Sequence, residues 1–334
     1  MEEYITLAHG AGGTQTSELI DEIFKKYFAS DLLTSDDAAV LPAIKGRPAM
    51  STDGFIVSPP FFNGGNIGKL SVCGTVNDLA CMGARPLYLT CAMVIEEGLA
   101  ASELDTIAQS MAQTAALAGI KIVAGDTKVA AKGQADKIFI TTTGIGEILP
   151  QANVSGAYAK PGDAVIVSGD VGRHGCCILL ERNDFGIEAD VPSDCAPLWD
   201  LAESAFGASD NIHVIRDATR GGTGTVLYEI AAQSGCGVMI EREKVPVLPQ
   251  VNGICSILGL DPLYLACEGR MVIIVPAEDA EKVLEAIKTT PEGKDAAIIG
   301  RITAENPGKV VVQTEIGTKT FLPKPVGELL PRIC

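Results

Sequence analysis

Positive charge is in deficit: 26 Lys and Arg stand against 42 Asp and Glu, a formal net charge of −16 at pH 7. That balance argues against a phosphate-backbone binder, which needs clustered Lys and Arg, so no nucleic-acid partner is expected. A small anionic ligand stays open, because loop amides and a divalent metal reverse the potential inside a cleft. No segment reaches the roughly 18 consecutive apolar residues of a membrane span, so no membrane association is expected. The longest uncharged stretch, Val245 to Leu260, is interrupted by Pro246, Pro249, Gln250 and Asn252. The acidic start M-E-E-Y-I-T is unlike a secretory signal. None of the ten cysteines forms a C-x-x-C pair, which removes zinc-finger and thioredoxin-like readings. Most read as small buried hydrophobes of a reducing, cytoplasmic protein. Cys334, the last residue, does not fit that account.

Hydrophobic residues make up 47% of the 334 positions. That is enough to bury a sizeable core, and the length favours about two domains. Thr90–Ile95, Ile120–Ala124 and Ile138–Thr142 read as strands. Helical spacing marks Ile67–Gly83 and Ala101–Gly119, the latter with Ser102 as expected N-cap and Gly119 as expected C-cap. Gln151 to Asp163 loses periodicity and ends K-P-G-D, the expected domain boundary. Beyond it, strands are expected at Ala164–Val167, Met271–Pro276, Ala297–Ile302 and Val310–Thr314. Helices are expected at Val171–Glu181, Pro197–Phe206, Gly222–Ser234 and Ala280–Lys288. The class is α/β (α+β): two mixed domains, 1–152 and 153–321. Residues 322–334, L-P-K-P-V-G-E-L-L-P-R-I-C, hold three prolines and read as an extended arm spanning roughly 40 Å.

Two nucleotide fingerprints come close and fail. Gly64–Leu70 has one residue too few for a Walker loop and Leu70 in place of the metal-binding hydroxyl, and Gly144 opens a G-x-G without a third glycine. Acidic residues at apparent strand ends and turns remain: Asp36, Asp37, Asp53, Asp78, Asp126 and Asp217, with Asn77 beside Asp78. Singly, each suits a cap or a turn. Converging on one cleft they would need a cation, and an all-oxygen donor set selects Mg²⁺ or Ca²⁺. Two glycine-rich pieces, His9–Thr14 and Arg220–Thr225, offer amides to phosphate.

The series S-D-D-A-A-V, S-T-D-G-F, G-K-L-S-V-C-G-T-V-N-D-L-A-C-M-G-A-R-P, G-D-T-K-V and R-D-A-T-R-G-G-T-G carries a resemblance. It resembles the ATP-binding superfamily typified by aminoimidazole ribonucleotide synthetase, which also holds selenophosphate synthetase and thiamine-monophosphate kinase. H-G-A-G-G at the start and P-R-I-C at the end narrow it to the HypE family of hydrogenase maturation proteins. The resemblance implies an ATP- and Mg²⁺-dependent dehydration of a carbamoyl group on Cys334 to a thiocyanate. That group supplies the cyanide ligands of [NiFe] hydrogenase. HypF is implied as the carbamoyl donor and a HypC–HypD complex as the acceptor. A homodimer is implied whose N-terminal sheets close into a barrel. The same resemblance assigns metal binding to Asp37, Asp78 and Asp217, and nucleotide or metal-shell roles to Asp53, Asn77 and Asp126. Gly10, Gly12 and Gly13 would close over the phosphates. Lys128 and Glu268 are the candidates for the dehydration beside Cys334, with Arg220 a weaker candidate for charge stabilisation. A small-molecule kinase or ligase of the same superfamily, and a nucleotide-gated adaptor, are the alternatives. Replacing Cys334 with Ala is expected to abolish carbamoyl uptake, read by intact mass; undiminished turnover would favour the small-molecule alternative.

Overall fold

The computed structural model describes residues 2–34 and 36–324, so Cys334 lies outside the described residues. In chain order the N-terminal half runs α1 (Thr14–Leu19), α2 (Lys25–Phe28), β1 (Pro48–Phe55), β2 (Phe61–Phe62), β3 (Gly65–Asn66), α3 (Ile67–Cys81), β4 (Ala84–Glu96), α4 (Ala101–Leu117), β5 (Lys121–Ala130) and β6 (Ile138–Ile148). The C-terminal half runs β7 (Ala164–Val167), α5 (Arg173–Arg182), α6 (Trp199–Ala208), β8 (Val214–Asp217), α7 (Gly222–Ser234), β9 (Gly237–Glu241), α8 (Pro249–Leu258), β10 (Met271–Val275), α9 (Ala277–Lys288), β11 (Ala297–Thr303), β12 (Val310–Gln313) and β13 (Lys319–Phe321). The first half builds a four-stranded sheet, β1-β6-β4-β5, and the second a seven-stranded one, β13-β12-β9-β11-β7-β10-β8. Among the described residues no helix is long and apolar enough to cross a membrane.

The parallel pairing of β4 with β5 requires a crossover, and α4 supplies it. That pairing also carries β5 past the expected end at Ala124 to Ala130, so Asp126 and Lys128 lie inside a strand. α4 is capped by Ala100 instead of Ser102, and Gly119 follows its end with φ +67°. The N-terminal helical arm, β9 and α8 lack a signal strong enough to be expected from sequence. Leu322, placed by sequence in the arm, is 2% exposed and donates its N–H to the Val310 carbonyl at 2.9 Å. It belongs to the core.

α3 decides how the halves meet. Asn66 caps it, accepting the N–H of Gly68 (2.9 Å) and Lys69 (3.1 Å). Ile67, Leu70, Val72, Cys73, Val76, Leu79 and Ala80 are all buried, and of the whole helix only Lys69 and Asp78 keep partial exposure. A helix buried on nearly every side must be covered on nearly every side. The four-stranded sheet covers one: Thr142 Oγ1 donates to the Ser71 carbonyl (2.9 Å) and bonds Thr75 Oγ1 (2.6 Å). α4 covers another, so closely that a Cβ on Gly68 would stand 2.4 Å from the Ile107 carbonyl oxygen. The C-terminal half covers the end, where Ala80 and Cys81 join one apolar cluster with Ile166, Phe206 and Ile273. Gly68→Ala is therefore expected to overpack the α3–α4 contact and lower stability by about 1–3 kcal/mol, measured as the denaturant midpoint.

Candidate active site

Between the two halves α3, β1, β8 and the loop before β10 bring four carboxyls together. Asp53 lies above Gly74 of α3, its Oδ2 3.6 Å from where a Cβ would stand, and the room that glycine leaves is taken by the Phe55 ring, 2.6 Å from the same point. One turn on, Asp78 Oδ2 accepts the Ser51 hydroxyl at 2.5 Å. Asp217 closes β8, and Glu268 occupies the loop. Burial raises the Asp53 carboxyl above its ordinary range and the charge of Asp78 adds to this, while Arg220 opposes. Burial raises Asp78 as well, against the Ser51 hydrogen bond and Arg216. Asp217 is pushed up to about 6, first by burial and then by Asp78. Glu268 is raised well above its ordinary value, through burial and then Cys195, Asp194, Asp217 and Asp53. These mutual effects make the four a single electrostatic unit. Arg216, which also donates to Glu229 at 2.6 Å, and the exposed Arg220 are its nearby cations.

Asn77, expected near nucleotide or metal, has its amide engaged elsewhere. It is 2% exposed; Nδ2 donates to the carbonyls of Ala196 (3.1 Å) and Glu268 (3.4 Å), and Oδ1 accepts the Leu198 N–H (2.8 Å).

The remaining candidates lie toward β5, away from this cleft: Asp126 and Lys128 emerge on the opposite face of the four-stranded sheet, while the N-terminal arm packs on the α3 face at the β5 edge. Asp53 pairs in register with Thr142, whose hydroxyl lies under α3, whereas Asp126 pairs with Ala92 and, through it, Thr141. Adjacent residues of a strand point to opposite faces. Asp37 and Asp126 line a cavity of about 490 Å³ between the N-terminal arm and β5, with Phe24, Met93 and Ile122 in its wall. Lys128 Nζ bonds Asp126 Oδ1 at 2.7 Å and holds that carboxyl below its ordinary range; both side chains are well exposed. A Cβ on Gly10 would meet the Val129 nitrogen at 2.8 Å, so that glycine lets the N-terminal loop lie on β5. Gly12 adopts φ +82° and its N–H is spent on Thr16 Oγ1 (2.9 Å), while Gly13 caps α1. Among the described residues no three His, Cys, Asp or Glu enclose a metal position. The expected triad of Asp37, Asp78 and Asp217 is thus divided within one chain, Asp37 under the arm and the other two in the cleft. Ser51, Asp194, Arg216 and Arg270 join the site without having been singled out in the sequence, although Ser51 opens S-T-D-G-F, Arg216 opens R-D-A-T-R-G-G and Arg270 is a lone charge before the apolar run of β10.

Two family models match: AIR synthase related protein, N-terminal domain, over residues 35–148, and its C-terminal domain over 160–313. Carbamoyl dehydratase HypE of Rhodobacter capsulatus is 45% identical over 337 residues, covering 100% of this chain and 99% of that protein. The Escherichia coli K12 protein of the same name is 44% identical over 99% of both. The chain belongs to the HypE carbamoyl dehydratase family. A crystal structure of HypE in complex with ATP superposes with a TM-score of 0.94 at 46% identity, covering 98% of this chain and 99% of that one. A HypE–HypF complex does so at 0.82 and 46%, covering 92% and 99%. Membership of HypE makes this chain an enzyme of hydrogenase maturation that dehydrates a carbamoyl group.

The raised Asp217 carboxyl has a defined consequence for stability. Its folded pKa lies above the unfolded value, so the folded state holds the proton more tightly, and stability falls as pH rises between about 4 and 6. Asp217→Asn is expected to raise unfolding stability at pH 7 by up to about 3 kcal/mol, read as a higher melting midpoint, and to leave it nearly unchanged at pH 4.

Proposed function

We propose that ATP activates the carbamoyl oxygen on Cys334 within this cleft. The carbamoyl oxygen attacks the γ-phosphorus and ADP leaves, with loss of one N–H proton. Loss of the second N–H proton then closes C≡N as the C–O bond breaks and inorganic phosphate departs. The sum is thiocarbamate plus ATP giving thiocyanate, ADP and phosphate. Glu268 is the proposed base for the nitrogen protons: its environment makes its carboxylate a stronger base than an ordinary one. Arg220, exposed at the cleft beside Asp53, is placed to offset charge on the transferred phosphoryl group.

Asp53, Asp78 and Asp217 suit a divalent cation, because burial raises all three, Asp78 adds to the other two, and positive charge relieves both effects. Mg²⁺ held there would supply charge neutralisation for the triphosphate. The Asp37–Asp126–Lys128 group reaches such a cleft through a dimer. β1 and β5 are both unpaired edges among the described residues, and the sheet face they flank carries Met50 (73% exposed) and Val94 (37%). Closing two sheets into a barrel would remove those edges and set β5 of one subunit beside β1 of the other. Asp37, Asp126, Lys128 and the loop of Gly10, Gly12 and Gly13 then complete the partner's cleft, and the cavity beneath the arm receives the apolar part of the nucleotide. The same reading takes 1–152 and 153–321 as domains, HypF as carbamoyl donor and HypC–HypD as acceptor.

The observation that carries the proposal is the convergence of Asp53, Asp78, Asp217 and Glu268 in a chain of this family. The test is to give carbamoylated protein Mg-ATP and weigh its C-terminal peptide: loss of one water is expected, and no loss despite ATP binding favours an adaptor. Asp78→Asn should lose Mg-ATP binding while remaining folded. Glu268→Gln should bind ATP and stall with the carbamoyl group in place.

A further inference from the structure

An asparagine in the middle of an apolar helix is costly, since its side chain competes with the backbone and has poor helix propensity. Asn77 offsets that cost entirely with groups far away in the chain, the carbonyls of Ala196 and Glu268 and the N–H of Leu198. Glu268 is held from its other side as well. Its N–H donates to Asp194 Oδ1 at 3.1 Å, from a carboxylate that is itself buried. Asp194 Oδ2 faces Arg270 Nε at 3.9 Å, and Arg270 is fixed by Asp170, through Nη2 to Oδ1 (2.7 Å) and Nε to the carbonyl (3.0 Å). Between Glu268 and Arg270, Gly269 permits the approach: a Cβ there would stand 1.9 Å from the Asp194 carbonyl oxygen.

We infer that Asn77 and Asp194 are positioning residues for Glu268, gripping its backbone from two sides and thereby setting where its carboxyl stands in the cleft. Asn77 comes from the N-terminal half and Asp194 from the C-terminal half, so the grip also ties Glu268 to the junction of the two. The Asn77 amide is spent on the carbonyls of Ala196 and Glu268 and the N–H of Leu198, so it acts through the residue it holds. The inference rests on the reading of Glu268 as the base.

The test uses Asn77→Ser and Asp194→Ala in the full chain, carbamoylated and supplied with Mg-ATP. Circular dichroism confirms folding, calorimetry reads ATP binding, and mass spectrometry reads water loss. The expected result is intact ATP affinity with dehydration slowed by about 100-fold, the scale of a misplaced reacting group. The same substitutions in a Glu268→Gln background should add no further loss to its residual rate, because residues acting as a unit are not additive. Asp194→Ala keeps the test alive should Asn77→Ser not fold, since it releases Glu268 from the other side. Undiminished dehydration in a folded variant, or a fully additive loss in the Glu268→Gln background, overturns the inference. Full activity in Glu268→Gln alone overturns the underlying reading instead, and shows itself before any Asn77 variant is made.

Discussion

A helix buried on nearly every side is the constraint from which the rest of this molecule follows. α3 buries residues around nearly its whole circumference, so the four-stranded sheet, α4 and the C-terminal half must all close on it. Each contact is made at van der Waals or hydrogen-bond distance, through Gly68 against Ile107 and Thr142 against Ser71. Protein interiors packed to that density transmit small displacements instead of absorbing them. The same helix carries Asn77 and Asp78 in consecutive positions, one turned to the loop of Glu268 and the other to the carboxyl cluster. A single rigid element thus places both the acid cluster and the fastening of its proposed base.

The cleft it creates is electrostatically expensive. Asp53, Asp78, Asp217 and Glu268 all sit above their ordinary carboxyl range, for burial first in every case, with Asp78 adding to Asp53 and Asp217, and those two among the charges that add to Glu268. Uncompensated carboxyls of this kind lower stability at neutral pH. A fold under selection for stability alone would neutralise them, as Asp170 is neutralised by Arg173 and Arg270 close by. Their persistence suits a site whose missing positive charge arrives with its ligands. Asp126 and Lys128 behave oppositely: well exposed and paired to each other, they lie on the bare face of the sheet.

Local signals in the sequence reached a good part of this. The strand at Ala164–Val167 and the helix at Gly222–Ser234 have the expected bounds, since short apolar runs and a glycine-bounded period depend only on near neighbours. Asp53, Asp78, Asp217 and Glu268 were all legible as candidates because their motif strings are contiguous. β5 was read short because only its pairing to β4 carries a strand on through G-D-T-K. The arm of α1 and α2 escaped notice because its surface is mostly polar and its few buried residues, Leu19, Ile23 and Phe28, gain meaning only against a partner.

By itself, the order of residues determined the family resemblance, the two-part α/β class and the list of carboxyls from which a site is made. Those are properties of contiguous strings and short periods. Tertiary structure alone decided which carboxyls share a cleft. Strand register sets the face on which a side chain emerges, so Asp53 and Asp126, similar in sequence context, emerge on opposite faces of one sheet. It also decided that Asn77 serves Glu268, because that bond joins residues 191 positions apart and nothing near either one announces it.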